Sequence, residues 1–358
     1  MRWGAVGGLV AGLLVACSGG DSKAATPPSA SSSPATTSSI ASTTTTSTAP
    51  GQPVVIAFAG DINFEEAMTT RLARDPQTAV GPFTDVLTSA DLAVGNLETA
   101  VGTGGTPENK DFTFEAPPAA IDALRAGGFD VVSMANNHGR DFGPDGLVES
   151  LAVRDAQPDH YIIGIGHNDD DAYSPFTATI HGQRIAVIGA TQVIDEELVT
   201  AWTATADNPG LASAKRVDAL LAAVRTARAN ADTVVVFLHW GIERNECPSP
   251  EQQALAQQLA DAGADIIVGG HAHRLQGAGL LGDAFVGYGL GNFDFTASTA
   301  DAQRTGVIRV TVTGRHIDGY EFVPGVIRGG VATPLTDDAA ASALDFWNSL
   351  RPCTGLRQ

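Results

Sequence analysis

Five short apolar runs in this chain each give way abruptly to polar residues of one chemical kind. Residues 54–59 lead into Gly60-Asp61-Ile62-Asn63, and residues 91–94 into Gly95-Asn96-Leu97-Glu98-Thr99. Residues 129–134 lead into Ala135-Asn136-Asn137-His138-Gly139, residues 233–238 into His239-Trp240-Gly241, and residues 265–268 into Gly269-Gly270-His271-Ala272-His273. A bounded apolar run of this length reads as a strand buried on both faces. In layered α/β folds the loops after such strands gather around one site.

Between the runs lie Ala/Leu-rich stretches of helical period. Helices are expected over residues 118–126, 145–156, 212–229 and 249–262, the third being the longest, with Val217, Leu220, Leu221 and Val224 on one face. Pro250 near the start and Gly263 at the end bound the fourth. Residues 161–165 read as a strand, and residues 176–180 and 184–188 as a hairpin around His181-Gly182-Gln183. A strand-rich segment over 306–327 and a helix near 339–350 close the chain. Helices alternating with buried strands imply sheets covered by helices, an α/β class.

Composition separates this body from what precedes it. Residues 1–16 carry an early Arg2 and then an apolar run too short to span a bilayer, which reads as a signal peptide. Leu14-Val15-Ala16-Cys17 resembles the lipobox of bacterial lipoproteins, in which the cysteine is lipidated; the other reading is an ordinary secretory signal. Residues 17–52 form a Ser/Thr/Pro/Ala tether, uncharged from Ala24 to Pro50 and without an apolar face that could offset the entropy of ordering. The folded domain is expected over 53–355. The expected location is outside the cytoplasm, on the cell membrane, held by the lipid. Cys247 and Cys353 remain as a pair, either a disulfide or two separate thiols.

The net charge is −19, from 21 basic and 40 acidic residues. It argues against sequence-independent nucleic-acid binding and against attraction to polyanions by overall charge. Any grip on an anion must come from a local cationic centre, for which bound metals are the natural source.

Imidazole, carboxylate and amide oxygen are the donors that hold borderline divalent cations. A lone histidine is ordinarily a satisfied, partly buried residue, but five loops sharing these donors are hard to explain as separate accidents. His160, His167, His181 and His316 lack such a context. Asp141 stands either to orient His138 or to cap the next helix. Trp240 reads as packing rather than stacking on a substrate. Glu243 and Arg244 either reach a substrate or belong to a solvated loop. Gly277 to Gly282 matches G-x-G-x-x-G, but no helix clearly follows, so it reads as a turn.

Gly60-Asp61, Asn137-His138, His239 and Gly270-His271-Ala272-His273 occur in the order of the calcineurin-like metallophosphoesterases. More narrowly, the stretch from Ser133 to Gly143, His239 to Glu243, Asp261 to Asp265, Gly269 to Gln276 and Gly289-Leu290-Gly291-Asn292-Phe293 resemble the bacterial CapA family, linked to poly-γ-glutamate capsule synthesis. The resemblance covers roughly residues 54–295. It implies a four-layer α/β/β/α sandwich with a site for one or two divalent cations (Mn, Fe, Zn or Mg). By position, Asp61 and His273 would hold one metal, and Asn137, His239 and His271 the other. Glu98 or Asn96 would stand near the bridging carboxylate, and His138 would be the acid serving the leaving group. Two departures stand out: Asn63 replaces a histidine of the phosphoesterase pattern, and Asn96 replaces an aspartate. Neutral amides bind metal more weakly, so the first site is expected to be weak or a single metal to bind.

Three functions follow as expectations. The first is an envelope-anchored protein acting in synthesis, attachment or export of an anionic poly-γ-glutamate-type polymer, within a synthase or export complex. The second is a general secreted metallophosphoesterase acting on small phosphoesters. The third is a non-catalytic surface protein that binds polymer or partners.

Overall fold

A computed structural model describes residues 51–358. The signal peptide, Cys17 and all but the last two residues of the tether lie outside the described residues. Among the described residues no helix is long and apolar enough to cross a membrane.

The strands that build the two large sheets are β1 (Val54–Ile62), β2 (Leu92–Leu97), β3 (Val131–Ser133), β4 (Ile162–Ile163), β5 (Phe176–Ile180), β6 (Gln183–Thr191) and β7 (Thr233–Trp240). They continue with β8 (Ile266–His271), β9 (Ala278–Leu281), β10 (Ala284–Gly287), β11 (Arg304–Thr313), β12 (His316–Arg328) and β13 (Val331–Pro334). The helices of at least eight residues are α1 (Ala67–Arg74), α2 (Ala119–Ala126), α3 (Gly143–Asp155), α4 (Val217–Asn230), α5 (Pro250–Ala262) and α6 (Asp337–Ser349).

One sheet runs β13-β12-β11-β1-β2-β3-β4 and the other β9-β10-β8-β7-β6-β5. Strand periodicity decides which face each side chain serves. In β1, Ile56 and Phe58 join a core that also holds Val235, Phe237 and Val268, so they lie between the sheets. Their neighbours Ala57, Ala59 and Ile62 pack with Met68 of α1, Leu124 of α2 and Leu151 of α3 on the outer face. In β7, Val234, Val236 and Leu238 turn the other way, against Leu220 and Val224 of α4 and Leu255 and Leu259 of α5. Three cores between four layers make this the α/β/β/α sandwich.

Helix α5 begins where the sequence indicates. Ser249 caps it, its hydroxyl accepting from the Gln252 N–H while the Gln252 side chain accepts from the Ser249 N–H. Gly263 ends it in the left-handed region at φ 112°. The 176–188 hairpin turns on His181 (φ 49°) and Gly182 (φ 80°), both positive as a two-residue primed turn requires. Gly277 to Gly282 forms strand β9 and its turn, with no helix after it.

Two elements differ from the sequence reading. Helix α4 starts at Val217, not at 212, because the Ala212 N–H bonds Gly164 O at 2.9 Å and the Ala214 N–H bonds Thr191 O at 2.6 Å. These bonds belong to an extended segment in which Ser213 bridges Thr191, and Arg216 is still non-helical at φ −89° and ψ 66°, so the first turn begins after it. The 161–165 strand is interrupted at Gly164, φ 86°, leaving Ile162 and Ile163 to pair with β3.

Candidate metal centre

Parallel pairing aligns the ends of the key strands. Asp61 of β1 lies opposite Asn96 of β2, and Asn96 opposite Ser133 of β3. In the other sheet His239 of β7 lies opposite Gly270 of β8, and Trp240 opposite His271. The two sheets therefore deliver Asp61, Asn96 and the 135–139 loop from one side and His239 and the 269–273 loop from the other. Close approach depends on Gly270, where a Cβ would stand 2.0 Å from Asp61 Oδ1.

Two groups of ligand-type atoms result, Glu98 with His239 and His271, and Asp61 with Glu98 and His273, each set lying within 4.8 Å. Glu98 is common to both. Its Oε1 is 3.4 Å from His239 Nε2, 3.9 Å from His273 Nε2 and 4.0 Å from His138 Nε2. Asp61 Oδ2 is 3.5 Å from His273 Nδ1 and accepts from the His271 N–H at 3.0 Å. Asn137 Oδ1 is 2.7 Å from His239 Nε2.

Asn96 sits among these groups with both ends of its amide engaged. Its Nδ2 donates to Asp61 Oδ1 at 2.9 Å and meets His239 Nδ1 at 3.1 Å, and its Oδ1 accepts from Asn136 Nδ2 at 3.1 Å. Of the two residues considered for the bridging position, Glu98 is thus the one shared by both groups, while Asn96 braces Asp61 and His239. Asn63, two residues after Asp61, is buried with its Oδ1 lacking a hydrogen-bond partner.

The electrostatics match a cation site. Burial pushes the His239 imidazole down to about 3, against the opposing pull of Asp61, and burial with His239 beside it holds His271 well below the usual histidine range. Both rings therefore stay neutral near pH 7 and keep a lone pair to donate. For His273, burial lowers the pKa, but Glu98 and Asp61 outweigh it and the net shift is upward. Burial, then Glu98, raises Asp61 to about 6. Both oxygens of Glu98, Nδ1 of His271 and Oδ1 of Asn63 are buried without a hydrogen-bond partner. Buried polar groups are ordinarily paired, and two adjoining carboxylates facing neutral rings need a positive charge. Divalent cations fit this donor set. The backbone is strained at the same place, with His271 at φ 93° and His273 at φ 50°.

His138 approaches from the 135–139 loop. Its Nδ1 lies 2.5 Å from Asp141 Oδ2, and its ring stacks on Phe114 with centroids 4.1 Å apart. Asp141 thus orients His138 and does not cap α3, whose first turn has no side-chain cap. Trp240 is fully buried, stacked on Tyr288, and its Nε1 donates to Tyr288 O at 2.8 Å, so it serves packing. Cys247 and Cys353 are joined as a disulfide with Cα atoms 5.7 Å apart.

Several residues at the site have no role legible in the sequence. Asn136 donates to Leu97 O at 2.8 Å and its Oδ1 accepts from the His138 N–H at 3.0 Å. Asn292 Oδ1 is 2.7 Å from His273 Nδ1. Lys110 Nζ bonds Asp141 Oδ1 at 2.7 Å and Asn137 O. Phe114 and Phe295 flank His138 and His273. Asn136 and Asn292 fall inside the stretches that resemble the CapA family, which is the signal for them. Lys110 and Phe114 lie in a Gly-rich loop with no local pattern.

The family model for the bacterial capsule synthesis protein PGA_cap matches residues 55–297. The chain is 32% identical over 275 residues to the capsule biosynthesis protein CapA of Bacillus anthracis, covering 74% of this chain and 63% of that one. It is 27% identical over 290 residues to the PGA biosynthesis protein CapA of Bacillus subtilis (strain 168), covering 79% and 74%. A probable polyglutamine synthesis accessory protein of Mycobacterium tuberculosis (strain CDC 1551 / Oshkosh) is 28% identical over 194 residues, covering 52% and 51%. The chain thus spans less than two thirds of the first and third of these relatives. The matched span holds Asp61, Glu98, His138, His239, His271 and His273 alike, and on it this chain belongs to the bacterial capsule synthesis protein family PGA_cap.

Proposed function

We propose that this chain acts in the synthesis, attachment or export of a poly-γ-glutamate-type polymer at the extracytoplasmic face of the cell membrane, anchored by a lipid on Cys17. The observation that carries the chemistry is Glu98, a fully buried carboxylate with both oxygens unpartnered, common to two groups of ligand-type atoms. The relatives' names, CapA and PGA biosynthesis protein, supply the substrate class.

Asp61, Glu98 and His273 would hold one divalent cation, and Glu98, His239, His271 and Asn137 a second. Bound there, the cations would supply Lewis-acid stabilisation of negative charge that develops on the substrate. His138 serves proton transfer at Nε2, because Asp141 occupies its Nδ1. The reaction is hydrolysis or transfer at an amide or phosphoester bond of the polymer or its carrier. A synthase or export complex is the natural partner for a tethered enzyme of this kind.

The test uses full-length chain loaded with Mn²⁺ or Zn²⁺ and a γ-linked glutamate oligomer, with cleavage or transfer products followed by mass spectrometry. Wild type should turn the oligomer over and His138→Ala should not. Binding without turnover in wild type overturns the catalytic part and leaves a polymer-binding role. Turnover of a small aryl phosphate in place of the oligomer marks a general phosphoesterase instead. Cell fractionation of wild type and Cys17→Ala reads the anchor, with release of the variant from the membrane expected.

A further inference from the structure

The residues just after His239 and His273 bound a cavity of about 710 Å³ that none of the roles above uses. It is lined by Arg244, Asn245 and Glu246 on one loop, by Arg274 after His273, and by Asp301. That volume lies within the range of ligand sites. The loop is held in place from several sides. The Arg244 N–H bonds Ala272 O at 2.7 Å, between the two histidines of the 269–273 loop. Gln276 Nε2 donates to Asn245 O at 2.9 Å and Cys247 O at 3.3 Å, and Gln276 is itself buried and held by Gln252 Nε2 at 3.1 Å. The disulfide ties Cys247 to the C-terminal segment.

Charge pairing in the cavity is uneven. Arg304 accounts for both acids of the lining, with Nη1 at 2.6 Å from Asp301 and 3.9 Å from Glu246. Arg274 has its Nη1 on His273 O at 2.8 Å. Among the described residues neither Arg274 nor Arg244 has a carboxylate partner. Arg244 holds a left-handed φ of 65°, unusual for a residue with a side chain, and is exposed. Glu243, the exposed neighbour of Arg244, lies outside the lining. Two guanidinium groups without an acid, on separate loops beside the metal-type cluster, stand out in a chain of net charge −19. Guanidinium pairs with carboxylate through two parallel hydrogen bonds, and a polymer with a carboxylate on every residue offers one to each arginine.

We propose that Arg244 and Arg274 form a carboxylate-binding subsite that holds the anionic γ-glutamyl chain alongside the metal centre. It rests on the function proposed above and assigns the grip on the polymer to two side chains of this protein. It also resolves how an acidic body binds an acidic chain, since the attraction is local and acts over about 10 Å at 0.1 M salt.

The test is calorimetric titration of the full-length, metal-loaded chain with three decamers: γ-linked glutamate, α-linked glutamate and γ-linked glutamine. Wild type should prefer the γ-linked glutamate decamer, and Arg244→Gln with Arg274→Gln together should weaken it at least tenfold at unchanged metal content. The neutral glutamine decamer should bind weakly to both. If the double variant does not fold, Arg244→Gln alone carries the measurement, since its side chain makes no hydrogen bond among the described residues; a several-fold loss is expected there. Full binding of γ-linked glutamate by the variants overturns the subsite and leaves the proposed function standing. Arginine-dependent binding of α- and γ-linked glutamate alike supports the subsite and overturns the γ-glutamyl substrate. No binding of any decamer by wild type overturns both.

Discussion

Asp141 grips His138 and Lys110 at once: Oδ2 lies 2.5 Å from His138 Nδ1 and Oδ1 accepts from Lys110 Nζ at 2.7 Å. The same Oδ2 accepts from the Phe114 N–H at 2.8 Å. One buried carboxylate therefore fixes the ring proposed to transfer the proton and the loop that stacks on it. Asp141→Asn keeps the size but can donate to Nδ1, which favours the wrong tautomer. Turnover of the γ-glutamyl oligomer should fall by about 10²–10⁴-fold, the contribution typical of a positioned general acid or base. Metal content should stay unchanged, because Asp141 is in neither ligand group. Steady-state kinetics and metal analysis on one preparation check both halves, and equal turnover would remove the orienting role.

Glu98→Gln removes the carboxylate common to the two groups. Metal affinity should fall by at least about tenfold, the loss that even supporting residues of metal sites produce. Elemental analysis after dialysis against a metal buffer reads the stoichiometry. Wild-type occupancy in the variant would show that Glu98 is not a ligand.

Gly270→Ala places a methyl group 2.0 Å from Asp61 Oδ1 in a fully packed site. Overpacking of this kind costs about 1–3 kcal/mol. Stability should fall by that amount, and metal occupancy should fall with it as Asp61 is displaced. Gly319→Ala is the control, since its Cβ would meet nothing within 4 Å. Urea unfolding of the two variants separates crowding at the site from a general effect of glycine replacement.

Asp294 is fully buried, and burial raises its carboxyl to about 7, against the ordinary 3.8. A carboxyl raised on folding contributes stability that is complete below about pH 4 and lost as pH rises toward 7, because the folded form must then ionise in a dry site. Asp294→Asn keeps an oxygen for the Ala332 N–H, which bonds Oδ1 at 2.8 Å, and cannot ionise. Above pH 7 the variant should be the more stable chain by up to about 4 kcal/mol, since each tenfold change in proton affinity is worth about 1.4 kcal/mol. The advantage should vanish near pH 4. A difference independent of pH would exclude ionisation of Asp294 as its source.

The chain itself determined the layers and the residue types that meet. A strand buried on both faces must be apolar throughout, so β1, β2, β7 and β8 stand out in one dimension, and so do the polar residues where each run ends. Local periodicity and caps likewise placed α2, α3 and α5 within a few residues. The tertiary structure decided what those polar residues do for one another. Glu98, not Asn96, is shared by both groups because Asn96 turns its amide to Asp61, 35 positions away, and to His239, 143 positions away. Asp61 accepts from the backbone of His271 across 210 positions. Lys110 reached Asp141, 31 positions away, and Arg304 reached Glu246 by the same kind of long-range placement. The physical reason is that periodicity is a relation between chain neighbours, whereas charge pairing and ligation act through a few ångströms of space. Sheet register and loop closure set those distances, and both are properties of the folded chain.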